Sequence, residues 1–149
     1  MDDLFTQARQ SAMGYLARRE HSRLELRQKL ARKGFTADII DQVLTQLQAN
    51  HLINETRFVE SFMHHRINQG YGPVRIQSDL RLRGIERELL ADMLDSDAPV
   101  WVERAHQVRQ KRFGDHLPTD RREWAKQMRF LQYRGFTNSQ IKMALQSLE

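Results

Sequence analysis

The chain has 149 residues, a net charge of +5 from 24 basic and 19 acidic side chains, and no cysteine. Disulfides, cysteine-ligated zinc, iron–sulfur clusters and a thiol nucleophile are thereby excluded. Ala, Leu, Arg and Gln supply 61 residues against 19 from Val, Ile and Thr, with seven Gly and three Pro, which predicts an all-α chain.

The first predicted helix covers about 4–20, behind an acidic Met1-Asp2-Asp3 start without the basic and apolar regions of a signal peptide. No apolar run approaches the length of a membrane span, so a cytoplasmic protein is expected. A second helix, 22–33, opens on a Ser22/Glu25 capping box and stops at Gly34; a third, 36–49, is capped by Thr36 and carries Ile39, Ile40, Val43, Leu44 and Leu47 at helical spacing. After a joint at 50–53 the series returns: a helix over 54–69 from Asn54, one over 73–83 entered through Gly72-Pro73, and one over 85–97 with Leu89, Leu90, Met93 and Leu94. A second joint, 95–99, leads through Pro99 to a helix over 99–113. A loop at 117–119 precedes helices over 120–134, capped by Asp120, and 137–149, capped by Thr137 with Gln140.

These nine helices form a repeat of about fifty residues. Leu30, Leu80 and Leu131 each lie four residues before Gly34, Gly84 and Gly135; Lys33, Arg83 and Arg134 precede the glycines, and Phe35, Ile85 and Phe136 follow them. Ten residues beyond each glycine stands Leu44, Leu94 or Leu145. The expected organisation is three tandem three-helix repeats, 1–52, 53–97 and 98–149, each marginal alone and stacked into an elongated array, straight or curved.

Charge follows position in the repeat. The middle-helix segments (22–33, 73–83, 120–134) carry +9 in all, the third-helix segments (36–49, 85–97, 137–149) −6, and the rest +2. A helix-turn-helix protein that reads the major groove would place its post-turn helix against phosphates. Here that helix carries Asp38, Asp41, Glu86, Glu88 and Asp92, which phosphates would repel. The basic middle helices instead suit one side of a long surface for a nucleoprotein assembly or an acidic protein groove. The run Arg109-Gln110-Lys111-Arg112 reads first as a solvated helix end. Beside Arg121, Arg122 and Arg129 it becomes a candidate anion-binding patch.

Catalytic chemistry is not visible. There is no phosphate-cradling loop, and Gly70-Tyr71-Gly72-Pro73 reads as a helix-to-helix turn. His64 and His65 diverge on a helix, and the pairs Glu86/Glu88 and Asp95/Asp97 diverge likewise, so neither a metal site nor general acid–base work is expected. Trp101, Val102, Ala105 and Val108 form a core stripe; Trp124 reads as a packing residue ahead of a base-stacking one. Tyr71 reads as a turn-packing residue at least as well as a contact residue.

Tyr15-Leu16-Ala17-Arg18-Arg19-Glu20-His21-Ser22-Arg23, Glu25-Leu26-Arg27-Gln28-Lys29-Leu30, Lys33-Gly34-Phe35, Asn54-Glu55-Thr56-Arg57-Phe58 and Gly70-Tyr71-Gly72-Pro73-Val74-Arg75-Ile76, then Leu80 and Gly84-Ile85, follow one another in an order that resembles RecX, the bacterial regulators of the RecA recombinase. Asn54 stands where an Asp is the expected residue and Val59 where a smaller one is; the third repeat, with Trp124 and Gln127, departs furthest. The resemblance implies a non-enzymatic modulator, mainly an inhibitor, that needs no cofactor and lies in the groove of the RecA–DNA filament, suppressing ATPase and strand exchange. The charge pattern then makes the basic positions of the middle helices, with the patch of the third repeat, the candidate contacts toward RecA or its DNA: Arg23, Arg27, Lys33, Arg75, Arg83, Arg109, Lys111, Arg112, Arg121, Arg122, Lys126, Arg129 and Arg134. DNA would be met within the filament and only weakly alone, and the lack of a heptad seam favours a monomer. The rival readings are a direct DNA-binding protein acting without RecA, and a helical-repeat adaptor for another protein.

Overall fold

The computed structural model describes residues 3–146. Among the described residues there are nine α-helices and no strand. They are α1 (Leu4–Arg18), α2 (Arg23–Arg32), α3 (Ala37–Ala49), α4 (Glu55–Asn68), α5 (Pro73–Leu82), α6 (Arg87–Met93), α7 (Val100–Phe113), α8 (Arg121–Arg134) and α9 (Asn138–Ala144).

Local sequence accounts for most helix starts. Ser22 accepts the Glu25 N–H while the Glu25 carboxylate accepts the Ser22 N–H, both at 3.1 Å, and Thr137 with Gln140 repeats the device at 3.1 and 3.0 Å. Asp3, Asn54 and Asp120 each cap through one side-chain oxygen. Such a cap stabilises a helix by about 1 kcal/mol. The helix expected over 85–97 is shorter, since α6 ends at Met93. Asp95 there turns its carboxylate back on the Asp97 N–H at 3.0 Å, a local bond that competes with helix continuation.

The chain divides into two compact units, residues 1–62 with 80–89, and 63–79 with 90–149. In the first, α1 and α2 pack on α3. Ala8 and Ala12 let α1 approach closely, and Leu26, Leu30, Ile40, Val43, Leu44, Leu47 and Ile53 fill the space between. Truncation of a fully buried leucine such as Leu30 costs about 2–5 kcal/mol.

In the second unit α7 packs against α8 and α9, burying Trp101, Ala105, Leu131, Phe136 and Ile141. The turn before α7 is pinned by two side chains: the Trp101 indole N–H donates to the Asp95 carbonyl at 2.9 Å, and the Gln140 amide to the Ser96 carbonyl at 2.6 Å.

Candidate functional site

The two units use their arginines differently. In the first, the basic α2 faces its own polar partners. Arg23 donates to Gln48 Oε1 at 2.8 Å and to Thr45 Oγ1 at 3.3 Å, and Arg27 pairs with Asp41 on α3. The Arg83 guanidinium lies 3.6 Å from Glu25, which Arg19 also holds at 3.1 Å, and stacks 4.7 Å over Phe62. The acidic third helix thus spends part of its charge inside its own repeat.

Lys33 and Lys29 both approach the ring of Tyr15, at 5.1 and 4.8 Å, and Lys33 also donates to Ser11 at 3.4 Å. Buried His21 accepts from Lys29 at 2.7 Å through Nε2 and donates to the Arg19 carbonyl at 3.1 Å through Nδ1, which fixes the neutral tautomer. Loss of water pushes the His21 pKa down, and the neighbouring charges of Arg19 and Lys29 add to that against the carbonyl bond. Desolvation, then the Arg19 charge, lowers Lys29 as well. For Glu25, desolvation would raise the pKa, but the bonds from Arg19 and Ser22 together hold it low.

The second unit presents cations outward. Lys111, Arg112, Arg121, Arg122, Lys126 and Arg129 are exposed, and among the described residues none of them forms an ion pair. Arg75 and Arg134 are half-buried. Both stack on Tyr71, at 4.4 and 5.3 Å; Arg75 donates to the Tyr133 carbonyl at 3.2 Å and Arg134 to that of Gln69 at 2.8 Å. Tyr71 is therefore an organiser of arginines as well as a turn residue. Arg112 lies 5.3 Å from the Phe113 ring and 5.9 Å from that of Phe130.

Arg109 departs from the expectation that the whole run 109–112 is a surface patch. It is fully buried, donating from Nη1 to the His116 carbonyl at 3.2 Å and to Gln127 Oε1 at 3.1 Å, and from Nη2 to the Gly114 carbonyl at 2.8 Å. The physical reason is periodicity. Trp101, Ala105 and Arg109 fall at i, i+4 and i+8, on the face of α7 that meets the core, while Lys111 falls off that face and Arg112, which shares it, is exposed in the last turn before Gly114. A guanidinium so placed closes the 114–116 turn and cannot reach a partner. Arg104, absent from the expected contacts, does stand with Lys111 and Arg112, at i, i+7 and i+8, its guanidinium 4.6 Å over Trp101. That spacing was the available signal.

Among the described residues no group of three or more His, Asp or Glu side chains is placed to hold a metal ion, and no helix is long and apolar enough to cross a membrane.

Three family models match the chain in order: RecX, first three-helix domain, over 8–47; RecX, second three-helix domain, over 54–94; and RecX, third three-helix domain, over 102–145. Among curated relatives, a Regulatory protein RecX of Halorhodospira halophila is 44% identical over 136 residues, 91% of this chain and 84% of that one. Another of Pseudomonas fluorescens is 40% identical over 143 residues, 96% and 92% of the two chains. A crystal structure of RecX from Lactobacillus salivarius superposes with a TM-score of 0.78 at 23% identity, covering 94% of this chain and 93% of that chain. A second crystal structure, of a regulatory protein RecX, gives 0.81 at 24% identity, covering 94% and 72%. At that identity the structural likeness is one of fold.

Proposed function

The chain belongs to the RecX family of regulatory proteins, and from that premise we infer that it acts on the RecA recombinase, binding the RecA–DNA filament and suppressing its ATPase and strand exchange. The observation that carries this reading is the row of exposed cations on α7 and α8 that, among the described residues, no carboxylate neutralises. Unpaired surface cations of this density raise the local potential and attract a polyanionic or acidic surface. The filament offers both, through DNA phosphates and through protein, and its groove repeats along an axis. A chain of three repeats engaging successive subunits gains affinity by multivalency, so weak individual contacts suffice. The domain boundaries proposed for those repeats are 1–52, 53–97 and 98–149.

Binding and occlusion need no catalytic group, and we assign none. RecA ATPase on single-stranded DNA, with this chain added at substoichiometric amounts, tests the reading. Inhibition well below saturation of the DNA is the expected result. Inhibition only when the DNA is coated would replace it with direct DNA binding, and no effect would leave a helical-repeat adaptor. Size-exclusion chromatography with light scattering should give a monomer.

A further inference from the structure

One cavity of the second unit, about 500 Å³, has a composition that the charge pattern alone does not explain. Its apolar floor is made by Ile67, Val108 and Phe130, and its rim by Arg104, Lys111, Arg112 and Arg134, with no Asp or Glu in the lining. Among the described residues none of these four cations forms an ion pair. Three guanidiniums are already positioned: Arg104 over Trp101, Arg112 beside Phe113 and Phe130, and Arg134 over Phe130 at 5.1 Å with its Nη1 on the Gln69 carbonyl. Arg109, one residue on from Val108, is outside the lining and directs its guanidinium at the 114–116 turn and Gln127 instead. Four cations around an apolar floor suit a ligand that is anionic at its edge and apolar at its centre.

We propose that this cavity binds an acidic peptide segment of a protein partner, seating one bulky aliphatic side chain on Val108 and Ile67 and its flanking carboxylates on Arg104, Lys111, Arg112 and Arg134. A volume near 500 Å³ accommodates a short stretch of peptide rather than a helix. Guanidiniums held in place by stacked rings lose little further freedom on binding, and Arg takes a carboxylate in bidentate fashion. A nucleic-acid strand fits less well. Sequence-neutral strand binding relies on open ring faces for base stacking, whereas the Phe130 ring is covered by Arg112 and Arg134 and meets Phe113 edge-on at 5.3 Å. The proposal rests on the reading of Lys111, Arg112 and Arg134 as partner contacts and specifies what those residues meet.

Isothermal titration calorimetry of the full chain with the peptide Glu-Glu-Asp-Leu-Glu-Glu provides the test, run beside the same peptide with serine for leucine and beside an oligothymidylate of equal charge. The leucine peptide should bind, and the serine peptide should bind about tenfold more weakly. Lys111→Glu and Arg112→Glu, both exposed and so compatible with the fold, should each cost at least about tenfold, and Arg104→Gln about threefold. Absence of binding, equal binding of the two peptides, or indifference to the three substitutions in chains that retain their circular dichroism would overturn the proposal. Tighter binding of the oligothymidylate with the same sensitivity to substitution would give the cavity to nucleic acid instead. RecA ATPase on the same chains is an independent readout. Peptide binding without inhibition removes the filament reading and keeps the cavity, whereas inhibition without peptide binding does the reverse.

Discussion

The Gly72 N–H donates to the Arg134 carbonyl at 2.7 Å, so the start of α5 sits on the last turn of α8. Val74 adds a second bond to the Gly135 carbonyl at 2.9 Å. Orphan donors at one helix start thereby meet orphan acceptors at another's end. In the first unit the Ser22 hydroxyl donates to the Arg83 carbonyl at 2.7 Å, which joins the start of α2 to the end of α5 by related means. The glycines permit this closeness. A Cβ on Gly72 would lie 2.6 Å from the Gly135 carbonyl group and the Phe136 nitrogen, and one on Gly135, whose φ is +98°, would lie 2.7 Å from the Arg75 nitrogen. Gly72→Ala is therefore expected to cost about 2–4 kcal/mol, through overpacking and two lost bonds. Gly14→Ala is the control. It lies inside α1 with nothing within 4 Å of an added Cβ, and should stabilise by about 0.5–1 kcal/mol. Urea unfolding followed by circular dichroism measures both, and equal effects at the two glycines would refute the close-approach argument.

His21 gives the fold a pH dependence with a definite sign. Its folded pKa lies below the ordinary 6.5, so the unfolded chain takes up a proton that the folded one refuses. The stability this supplies is complete above 6.5 and declines as the pH falls toward the folded value. Urea midpoints measured from pH 7.5 to 5 should fall on acidification for the native chain and change less for His21→Gln. A chain whose midpoint rises on acidification through that window would contradict the neutral, Lys29-bonded imidazole.

Glu55 has the opposite sign. Desolvation raises its pKa above the ordinary 4.5, against the bond from the Arg23 N–H, and the nearby Glu86 charge adds to the rise. Ionised Glu55 thus burdens the folded state at neutral pH, and the relief comes as the pH drops below its folded value. Glu55→Gln should raise the urea midpoint at pH 7 and lose that advantage below about pH 4.5.

What could be read from the sequence was what is local. The Ser22/Glu25 and Thr137/Gln140 boxes, the glycine stops and the leucines at fixed distance from them depend on neighbours within one or two turns, and the helices appear where those signals put them. The early end of α6 is not legible in the apolar spacing, because it goes with a local bond from the Asp97 N–H to the Asp95 carboxylate. Adjacency in sequence groups Arg109 with Lys111 and Arg112, whereas the packing of α7 buries it with Trp101 and Ala105. The seating of Gly72 on Arg134 and the gathering of Arg104, Phe130 and Arg134 around one cavity bring together residues far apart in sequence, and no single-sequence pattern encodes them.

Arg109 and Gln127 form a coupled buried pair. Gln127 accepts from Arg109 and passes its own amide to Glu123 at 3.2 Å, which links a buried cation to a carboxylate through one neutral side chain. Gln127→Leu keeps the bulk but removes the acceptor, and should cost about 1–3 kcal/mol because the guanidinium stays buried and loses a partner. Arg109→Met with Gln127→Leu removes the charge and its need together, and should be less destabilised than the sum of the two single substitutions. Urea denaturation of the four chains forms the cycle; strict additivity would mean that the 3.1 Å contact contributes nothing.

Charge reversal separates the two units as contact surfaces. Arg121, Arg122 and Arg129 are exposed on α8 and outside the buried positions Gln127 and Leu131, so reversing all three to Glu should leave the fold intact. If they meet the filament, six units of local charge are removed from the encounter, and suppression of RecA ATPase should require at least about tenfold more of the variant. Raising the salt should weaken the native chain in the same direction, since exposed charges are screened within about 10 Å at 0.1 M. In the first unit, Arg27 already directs its charge at Asp41, so Arg27→Ala should change the inhibitory concentration by less than about twofold. A folded triple variant that inhibits as well as the native chain would move the contact surface off α8. A large loss at Arg27 with none at α8 would place it on the α2–α3 face, where Arg27 already has Asp41 as its partner and must exchange that pair for the filament.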